Sequence, residues 1–302
     1  MATDASLGAI DPQNQLFAQL GCFDTQPRIL VLDADLYHAE PLAINRGKIQ
    51  VFRKSRREFF AKCIERSVPP KKATKAMQIG TLAHAGLLEP HEFKSLYVVA
   101  PDDCLTSAGY INSTRVKMWK AEQVAKGHLR SDVIVLTQEG FQQVQQIVLA
   151  VDKKVGSMIR KAIVEHAIYW TDEKTKLRCK CRPDILIPMP EYIIVIDIKT
   201  TDNALKWPPN QQKSSNIMQA VHYSQGIKAL YGDKPIQFVF LAVGKEPPHL
   251  TRTYEFDDED QNGYVAWRDA LDGIAQCIST GDWSDPGEDE IQKIYVRRRD
   301  LN

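Results

Sequence analysis

The sequence contains no pair of cysteines spaced as Cys-x-x-Cys, which removes the commonest framework for a bound metal. Its six cysteines are dispersed over 302 residues, and only Cys179 and Cys181 lie close together. A structural zinc ion or an iron–sulfur cluster needs four protein ligands. The spacing therefore predicts free, mostly buried thiols and no iron–sulfur cluster.

The chain also lacks long apolar segments. No run approaches the roughly 20 apolar residues of a membrane helix, and residues 1–6 have neither the basic nor the apolar region of a signal peptide. Hydrophobic residues make up 43% of the chain and charged residues 25%, which is ordinary for a soluble globular protein. We expect a cytoplasmic protein with no membrane association.

The formal net charge is only +1, but the charge is unevenly distributed. Residues 46–75 carry eleven Lys or Arg and two Glu, whereas residues 255–290 carry twelve acidic residues and one Arg. A basic segment of this kind predicts a surface that follows DNA phosphates. Its candidate DNA contacts are Arg53, Lys54, Arg56 and Arg57. A solvated amphipathic helix explains each of these residues equally well.

Hydrophobic periodicity predicts a series of helices, then a β-meander, a crossover helix, a strand and a terminal helix. The predicted helices are 48–67, 74–88, 113–126, 137–153, a helical turn at 159–166, 216–230 and 258–280. The predicted strands are 29–32, 167–171, 177–182, 184–187, 192–199 and 236–243. This order favours an α/β (α+β) fold with a central mixed β-sheet flanked by helices. We predict a flexible leader at 1–27 and a single domain at 28–302, with its core at about 74–245.

The most informative motif is a Pro-Asp pair ending at Asp184, followed by an apolar segment and then by Asp197-Ile198-Lys199. An isolated Asp-x-Lys is usually a solvated strand edge, but here residues 192–196 read as a buried strand. Side chains alternate along a strand, so Asp197 and Lys199 point to the same face, and Asp184 can fold back beside them. Two carboxylates suit Mg²⁺, which shares its remaining positions with water and phosphate. The Ile198 carbonyl is a third candidate ligand. Lys199 would orient or help deprotonate the attacking water, and its charge can steady the transition state.

Two further patterns lie on either side of this motif. Gln219 and Tyr223 are four residues apart in the predicted helix 216–230 and share one helical face. His84 lies among apolar residues in the predicted helix 74–88. Taken alone, the first pattern is an ordinary polar face, and the second is more often a core or capping histidine than a ligand.

Together and in this order, these motifs resemble the RecE-type (exonuclease VIII) nuclease domain, in the RecB-like branch of the PD-(D/E)xK superfamily. The motifs are Gly80-Thr81-Leu82-Ala83-His84 with Leu88-Glu89-Pro90, Arg182-Pro183-Asp184, Asp197-Ile198-Lys199-Thr200-Thr201 and Gln219-x-x-x-Tyr223. A weaker likeness begins near Tyr37. The chain departs from the family's pattern at residues 45–48, Asn-Arg-Gly-Lys, where a Ser-Lys-Ser-like helix start is expected.

The resemblance implies a PD-(D/E)xK restriction-endonuclease-like fold and a Mg²⁺-dependent 5′-to-3′ exonuclease acting on linear double-stranded DNA, with Mn²⁺ as a substitute metal. It makes His84 a further metal ligand, or a group close to the metal, beside Asp184 and Asp197. It gives Gln219 and Tyr223 the task of bracing the site or contacting the DNA backbone. It also implies a ring-shaped homo-oligomer at double-stranded DNA ends, with a single-strand annealing recombinase as its partner.

Four residues are weaker candidates. Arg182, Lys206 and Lys213 are speculative phosphate contacts, for which a solvated surface charge is the better interpretation. Glu165 is a candidate for supporting the metal site, although a surface carboxylate near a helix end is the more common explanation.

Two other functions remain open. One is a RecB-like nuclease with endonuclease or single-strand activity, as in helicase-associated or CRISPR-adaptation systems. The missing cysteine set and the missing helicase motifs disfavour it. The other is a non-catalytic DNA-binding module of the same fold, which the intact set of Asp184, Asp197 and Lys199 disfavours.

Overall fold

The computed structural model describes residues 25–69, 72–207, 215–257, 261–288 and 290. Its strands are β1 (Arg28–Leu30), β2 (Tyr97–Val99), β3 (Ile134–Leu136), β4 (Ile163–Val164), β5 (Ala167–Thr171), β6 (Arg178–Cys181), β7 (Ile185–Pro188), β8 (Ile193–Thr201), β9 (Ile236–Gly244) and β10 (Thr251–Phe256). Its α-helices are α1 (Ala34–Ala39), α2 (Arg46–Lys54), α3 (Arg56–Phe59), α4 (Lys75–Leu88), α5 (Pro90–Phe93), α6 (Ser113–Ala125), α7 (Gln138–Ile159), α8 (Ser215–Tyr231) and α9 (Asn262–Thr280). A π-helical turn at Phe60–Ile64 and 3₁₀ turns at Asp102–Cys104 and Ala204–Lys206 complete the elements.

The main sheet has five strands in the order β10-β9-β8-β7-β4. Its two long central strands, β8 and β9, pair in parallel, and the other pairs are antiparallel. Parallel neighbours need a crossover connection, and α8 lies in the connection here. Two smaller sheets accompany it, an antiparallel one in the order β1-β5-β6 and a parallel pair of β2 with β3.

Strand β8 is covered on both faces, and its alternating side chains enter two different hydrophobic clusters. Val195 packs in a cluster with Met218 of α8 and with residues of α9. Ile196 packs on the other side with Leu82 of α4 and with residues of α7. A strand covered on both faces reads as a continuous apolar run, so the charged residues that interrupt it require specific partners.

The two helices on the second face begin with side-chain caps. Thr74 accepts a hydrogen bond from the Met77 amide at the start of α4, and Thr137 accepts one from the Gly140 amide at the start of α7. Such caps satisfy amides that have no partner within the helix. They mark where α4 and α7 begin.

The central mixed sheet with helices on both sides confirms the predicted fold class. Strand 192–199 is observed as β8, strand 236–243 as β9, and helix 216–230 as α8. Each is a long apolar or clearly periodic segment, for which local pattern is a strong guide.

The predicted helix 48–67 is wrong as a single element. It is divided into α2, α3 and the π-helical turn, because Ser55 is extended with φ −164°. The Ser55 side chain accepts a hydrogen bond from the Glu58 amide and so begins a new helix. The predicted helical turn at 159–166 is also wrong, since α7 ends at Ile159 and residues 163–164 form β4 against β7.

Several short elements have no counterpart in the predicted order. Strands β2, β3 and β10 and helix α1 are observed where the sequence pattern gave no element. The part of the leader before Thr25, and residues 258–260 of the predicted terminal helix, lie outside the described residues. None of the helices in the described ranges combines the length and apolar character that crossing a membrane would need.

Candidate active site

Asp197 and Lys199 lie on one face of β8, near the centre of the main sheet. Asp197 is 1% exposed, whereas the Lys199 side chain is 21% exposed. The Lys199 ammonium contacts Asp197 Oδ2. The two residues form an ion pair that is buried at the carboxylate and reaches solvent at the lysine.

Gln219 of α8 bridges this pair. Its Oε1 accepts a hydrogen bond of 2.8 Å from Lys199 Nζ, and its Nε2 donates to Asp197 Oδ1. The two contacts together fix the orientation of the amide, because only the oxygen can accept and only the nitrogen can donate. Tyr223 lies one turn further along α8, and its ring packs edge-on 6.3 Å from the ring of Phe238. Burial, and then the charge of Asp197, raises the pKa of Tyr223.

Asp184 approaches β8 from the residue before β7. The antiparallel pairing of β7 with β8 ends at Ile185 opposite Ile196. Beyond that point, Asp184 Oδ2 accepts a hydrogen bond of 2.7 Å from the Ile198 amide. The Asp184 side chain therefore binds the β8 backbone just beyond the last strand pair. This brings the carboxylate beside β8, as the sequence predicts.

His84 reaches the same point from α4. Gly80 permits the close approach of the helix, since a Cβ there would lie 3.0 Å from Thr200 Oγ1. His84 Nε2 lies 2.9 Å from the Ile198 carbonyl oxygen, and Nδ1 lies 3.5 Å from Asp184 Oδ2. The histidine thus contacts two of the groups that the sequence proposes as metal ligands.

Glu165 completes the cluster from the turn between β4 and β5. Its side chain is 10% exposed, and its Oε1 lies 4.0 Å from His84 Nδ1. One ligand atom each from His84, Glu165 and Asp184 lie within 4.8 Å of one another. The interpretation of Glu165 as a surface carboxylate is therefore wrong. The available signal was its position between the apolar pairs 163–164 and 167–168.

The electrostatics of the cluster are dominated by its carboxylates. Burial alone would lower the pKa of His84, but the charges of Asp184, Glu165 and Asp197 raise it to about 9. Burial and the charge of Asp197 raise the pKa of Asp184. The raised pKa keeps the His84 imidazole protonated at neutral pH, so His84 would have to release this proton before it could bind a cation.

The donor atoms fit a hard divalent cation. Asp197 Oδ2 is buried and has no hydrogen bond among the described groups, although the Lys199 ammonium contacts it. Carboxylate oxygens and a backbone carbonyl are the ligands that Mg²⁺ and Mn²⁺ prefer. The groups that would hold such an ion are Asp184, Asp197, Glu165, His84 and the Ile198 carbonyl.

A family model described as a PDDEXK-like domain of unknown function (DUF3799) matches residues 47–293. The chain belongs to this family. The matched region contains every residue of the cluster. It confirms that the chain is a PD-(D/E)xK protein, as the motifs in sequence suggested.

Solved structures also resemble the PDDEXK-like domain. A structure from Eubacterium rectale named "Putative exonuclease" has a TM-score of 0.52 and 12% identity, over 90% of this chain and 98% of that chain. A protein from Vibrio cholerae called VC1899 has a TM-score of 0.24 and 10% identity, over 85% of this chain and 60% of that chain. At such identities the first likeness shows the fold alone. A comparison with curated proteins gives no match.

The predicted phosphate contacts differ in how far they are exposed to solvent. Arg182 lies in the interior, where its side chain is 9% exposed and pairs with Glu165 and Glu89. The expected solvated position of Arg182 is therefore wrong. Lys206 is exposed at the end of the 3₁₀ turn after β8, and Lys213 lies outside the described residues.

The basic segment meets the acidic segment of the chain. Lys54 pairs with Glu58, and Arg57 lies 2.6 Å from Glu288. Asp285 binds the backbone amide of Arg56. Arg53 is exposed at the end of α2. Among the described contacts, none of the four predicted basic residues joins the cluster around Asp184, so their role in DNA binding stays a prediction.

Proposed function

We propose that this PDDEXK-like domain is a Mg²⁺-dependent exonuclease that degrades linear double-stranded DNA. The observation that carries the proposal is the convergence of Asp184, Asp197 and Lys199 where β7 and β8 separate. His84 and Glu165 add two further donor atoms at the same point. Two carboxylates can hold a divalent cation that shares its remaining positions with phosphate, and a neighbouring lysine can stabilise charge that develops on that phosphate.

The residues divide the chemistry between them. A bound Mg²⁺ would polarise the scissile phosphate and make its bound water more acidic. Asp184 and Asp197 would hold the ion. Lys199 would orient the attacking water and stabilise the charge that develops on the phosphate. Gln219 would keep the lysine in place, since it already accepts a hydrogen bond from Lys199 and donates one to Asp197.

The resemblance to RecE-type nucleases supports the finer parts of the proposal. On that basis we propose 5′-to-3′ polarity, a ring-shaped homo-oligomer, and delivery of single strands to an annealing recombinase. The name of the Eubacterium rectale structure agrees with an exonuclease. A cytoplasmic location and a single domain over residues 28–302 belong to the same proposal.

The proposal is tested by incubating the protein with linear and closed circular duplex DNA, in Mg²⁺ and in EDTA. We expect only the linear DNA to be degraded, only in Mg²⁺, and not by a Lys199→Ala variant. A Lys174→Ala variant is the matched control, since this exposed lysine pairs with Asp272 of α9 and should leave degradation unchanged.

Other results assign the protein elsewhere. Cutting of the circular DNA would identify an endonuclease. Binding of DNA in Mg²⁺ without degradation would identify a DNA-binding module. Substrates labelled at one 5′ or one 3′ end then determine polarity, and early release of the 5′ label alone is the result expected here.

A further inference from the structure

Arg182 uses every nitrogen of its guanidinium in contacts beside the metal-facing cluster. Nε donates to the Glu165 carbonyl oxygen at 2.8 Å, and Nη1 lies 2.9 Å from Glu165 Oε2. Nη2 donates to Glu89 Oε1 at 2.6 Å. The side chain is 9% exposed. An arginine bound in this way offers little to a DNA phosphate.

Glu165 has a backbone conformation that needs outside support. Its φ is +54°, in the left-handed region that a non-glycine residue rarely adopts. Its amide donates to the Asp184 carbonyl oxygen at 3.1 Å. Arg182 binds both the carbonyl and the carboxylate of this residue. The arginine therefore fixes the peptide and the side chain of Glu165 together, and leaves Oε1 facing His84.

Glu89 connects the same guanidinium to the helix that carries His84. It follows the last residue of α4, and its amide donates to the Ala85 carbonyl oxygen. Asp184, in turn, is only two residues after Arg182 in the chain. One side chain is thus tied to the three segments that supply His84, Glu165 and Asp184.

We propose that Arg182 is a positioning residue that holds these three metal-facing side chains at their mutual distances. The inference rests on the proposed function, because it assumes that the cluster binds a divalent cation. The planar guanidinium is suited to the task, since it reaches a carbonyl and two carboxylates at fixed angles, whereas a lysine offers one point charge. Partners behind a metal ligand commonly affect metal affinity by about 10–100-fold.

The test measures binding of Mn²⁺ alone, without DNA, by isothermal titration of the full chain. We expect Arg182→Gln to weaken Mn²⁺ binding by about 10–100-fold, and Arg182→Lys by about 10-fold. We expect Glu89→Gln to have a smaller effect in the same direction. The Mg²⁺ concentration that gives half-maximal nuclease rate should rise in parallel, and saturating Mg²⁺ should restore much of the rate.

The matched control is Arg268→Lys. Arg268 forms a bidentate pair with Asp172, with distances of 2.8 and 2.7 Å, on a different part of the protein. The substitution also replaces a planar guanidinium by a single ammonium, so it should lower stability. It should leave Mn²⁺ affinity within about twofold of wild type, whereas the Arg182 variants should lose about 10-fold or more. Circular dichroism and urea unfolding identify variants that are folded enough to titrate.

Folded Arg182 variants that bind Mn²⁺ as tightly as the wild-type protein would overturn the proposal. So would unchanged Mn²⁺ affinity with weakened DNA binding in EDTA, which would make Arg182 a phosphate contact. A wild-type protein that binds Mn²⁺ but degrades no DNA contradicts the proposed function only, and the Mn²⁺ titrations of the variants still test the role of Arg182.

Discussion

Two strands of the PDDEXK-like domain each carry a lysine into the interior, and the surroundings of the two lysines differ. Lys180 of β6 donates to the carbonyl oxygens of Tyr37 and Glu40 at 2.6 and 2.8 Å, and its ammonium lies 3.0 Å from Glu40 Oε2. Both side chains of this ion pair are at most 1% exposed. Lys199 of β8 instead is 21% exposed, contacts Asp197 Oδ2 and donates a hydrogen bond to the amide oxygen of Gln219.

The carboxylate partners show the same difference. Glu40 also accepts hydrogen bonds from the amides of Leu42 and Ala43, so it is satisfied by its own chain. Asp197 accepts one hydrogen bond from Gln219 and shares its surroundings with Asp184. A buried carboxylate that is paired by donors of its own chain holds a fold together, whereas two carboxylates placed near each other have capacity for a shared cation. The first cluster is closed and structural, and the second is open and fits a functional site.

The comparison predicts that replacing Lys199 mainly affects rate. Lys199→Ala should lower the rate of DNA degradation by about 10³-fold, because a positioned charge and proton-transfer group are lost. Single-turnover degradation of end-labelled linear DNA at saturating Mg²⁺ measures the effect. Loss of a catalytic proton-transfer group lowers the rate by far more than about tenfold. A Lys199→Ala rate within about tenfold of the wild-type rate would therefore contradict the catalytic role of the open cluster.

Replacing Lys180 should mainly affect stability. Lys180→Met leaves the Glu40 carboxylate buried without its cation, which should lower the free energy of unfolding by about 3–5 kcal/mol. Urea unfolding followed by circular dichroism measures it. The double variant Glu40→Gln with Lys180→Met is the control, because it removes both charges and should recover much of the loss. If the double variant is no more stable than the single, the pair is not the source of the effect.

Lowering the pH should reduce the stability of the closed cluster around Lys180. His222 is buried beside Lys180, donates to the Lys180 carbonyl oxygen, and accepts from the Trp267 indole at 3.0 Å. Burial lowers the pKa of His222 to about 4. An unfolded histidine titrates near 6.5, so the unfolded chain binds more protons between pH 6.5 and 4. The stabilisation is complete above pH 6.5 and is lost as the pH falls, by about 3 kcal/mol in total.

Urea unfolding at pH 7, 6, 5 and 4.5 measures this slope. A His222→Gln variant lacks the titrating group, so the difference in stability between it and the wild type should shrink as the pH falls. A difference that stays constant from pH 7 to 4.5 would show that His222 does not titrate between the folded and unfolded states.

The smallest effect on the rate is expected from Gln219, which bridges Lys199 and Asp197. Gln219→Ala removes the hydrogen bonds to Lys199 and Asp197 but leaves both charged groups, so the rate should fall by only about 10-fold. Gln225→Ala, a half-buried glutamine on the same helix, is the matched control. A loss as large as that of Lys199→Ala would make Gln219 a participant in the reaction itself.

The sequence predicted the part of the site that depends on local geometry. Alternation along β8 fixes the common face of Asp197 and Lys199, and a short connection brings Asp184 beside them. The helical spacing of Gln219 and Tyr223 follows in the same way from one element. These interpretations needed no knowledge of distant parts of the chain.

The rest of the site, and several features of the fold outside it, depend on contacts that local pattern does not contain. The position of Glu165 depends on its own positive φ and on its contacts with Arg182, 17 residues later. The pairing of Arg57 with Glu288 joins residues 231 positions apart. Ser55 divides the predicted helix 48–67 through its extended backbone, although its apolar spacing is helical. In each case tertiary contacts override the local signal.

The attachment of the N-terminal elements to β5 and β6 also affects how the protein is made. Strand β1 pairs with β5, Ile44 bridges to Cys179, and the Lys180 ammonium binds the Glu40 carbonyl 140 residues away. At a synthesis rate of about 5–20 residues per second, residues 28–48 emerge roughly 7–28 seconds before their partners. During translation, Leu32 and Tyr37, which are buried in the folded protein, have no partner strand to cover them. The segment that finally closes the structural cluster is therefore one that a nascent-chain chaperone would meet before β5 and β6 have been made.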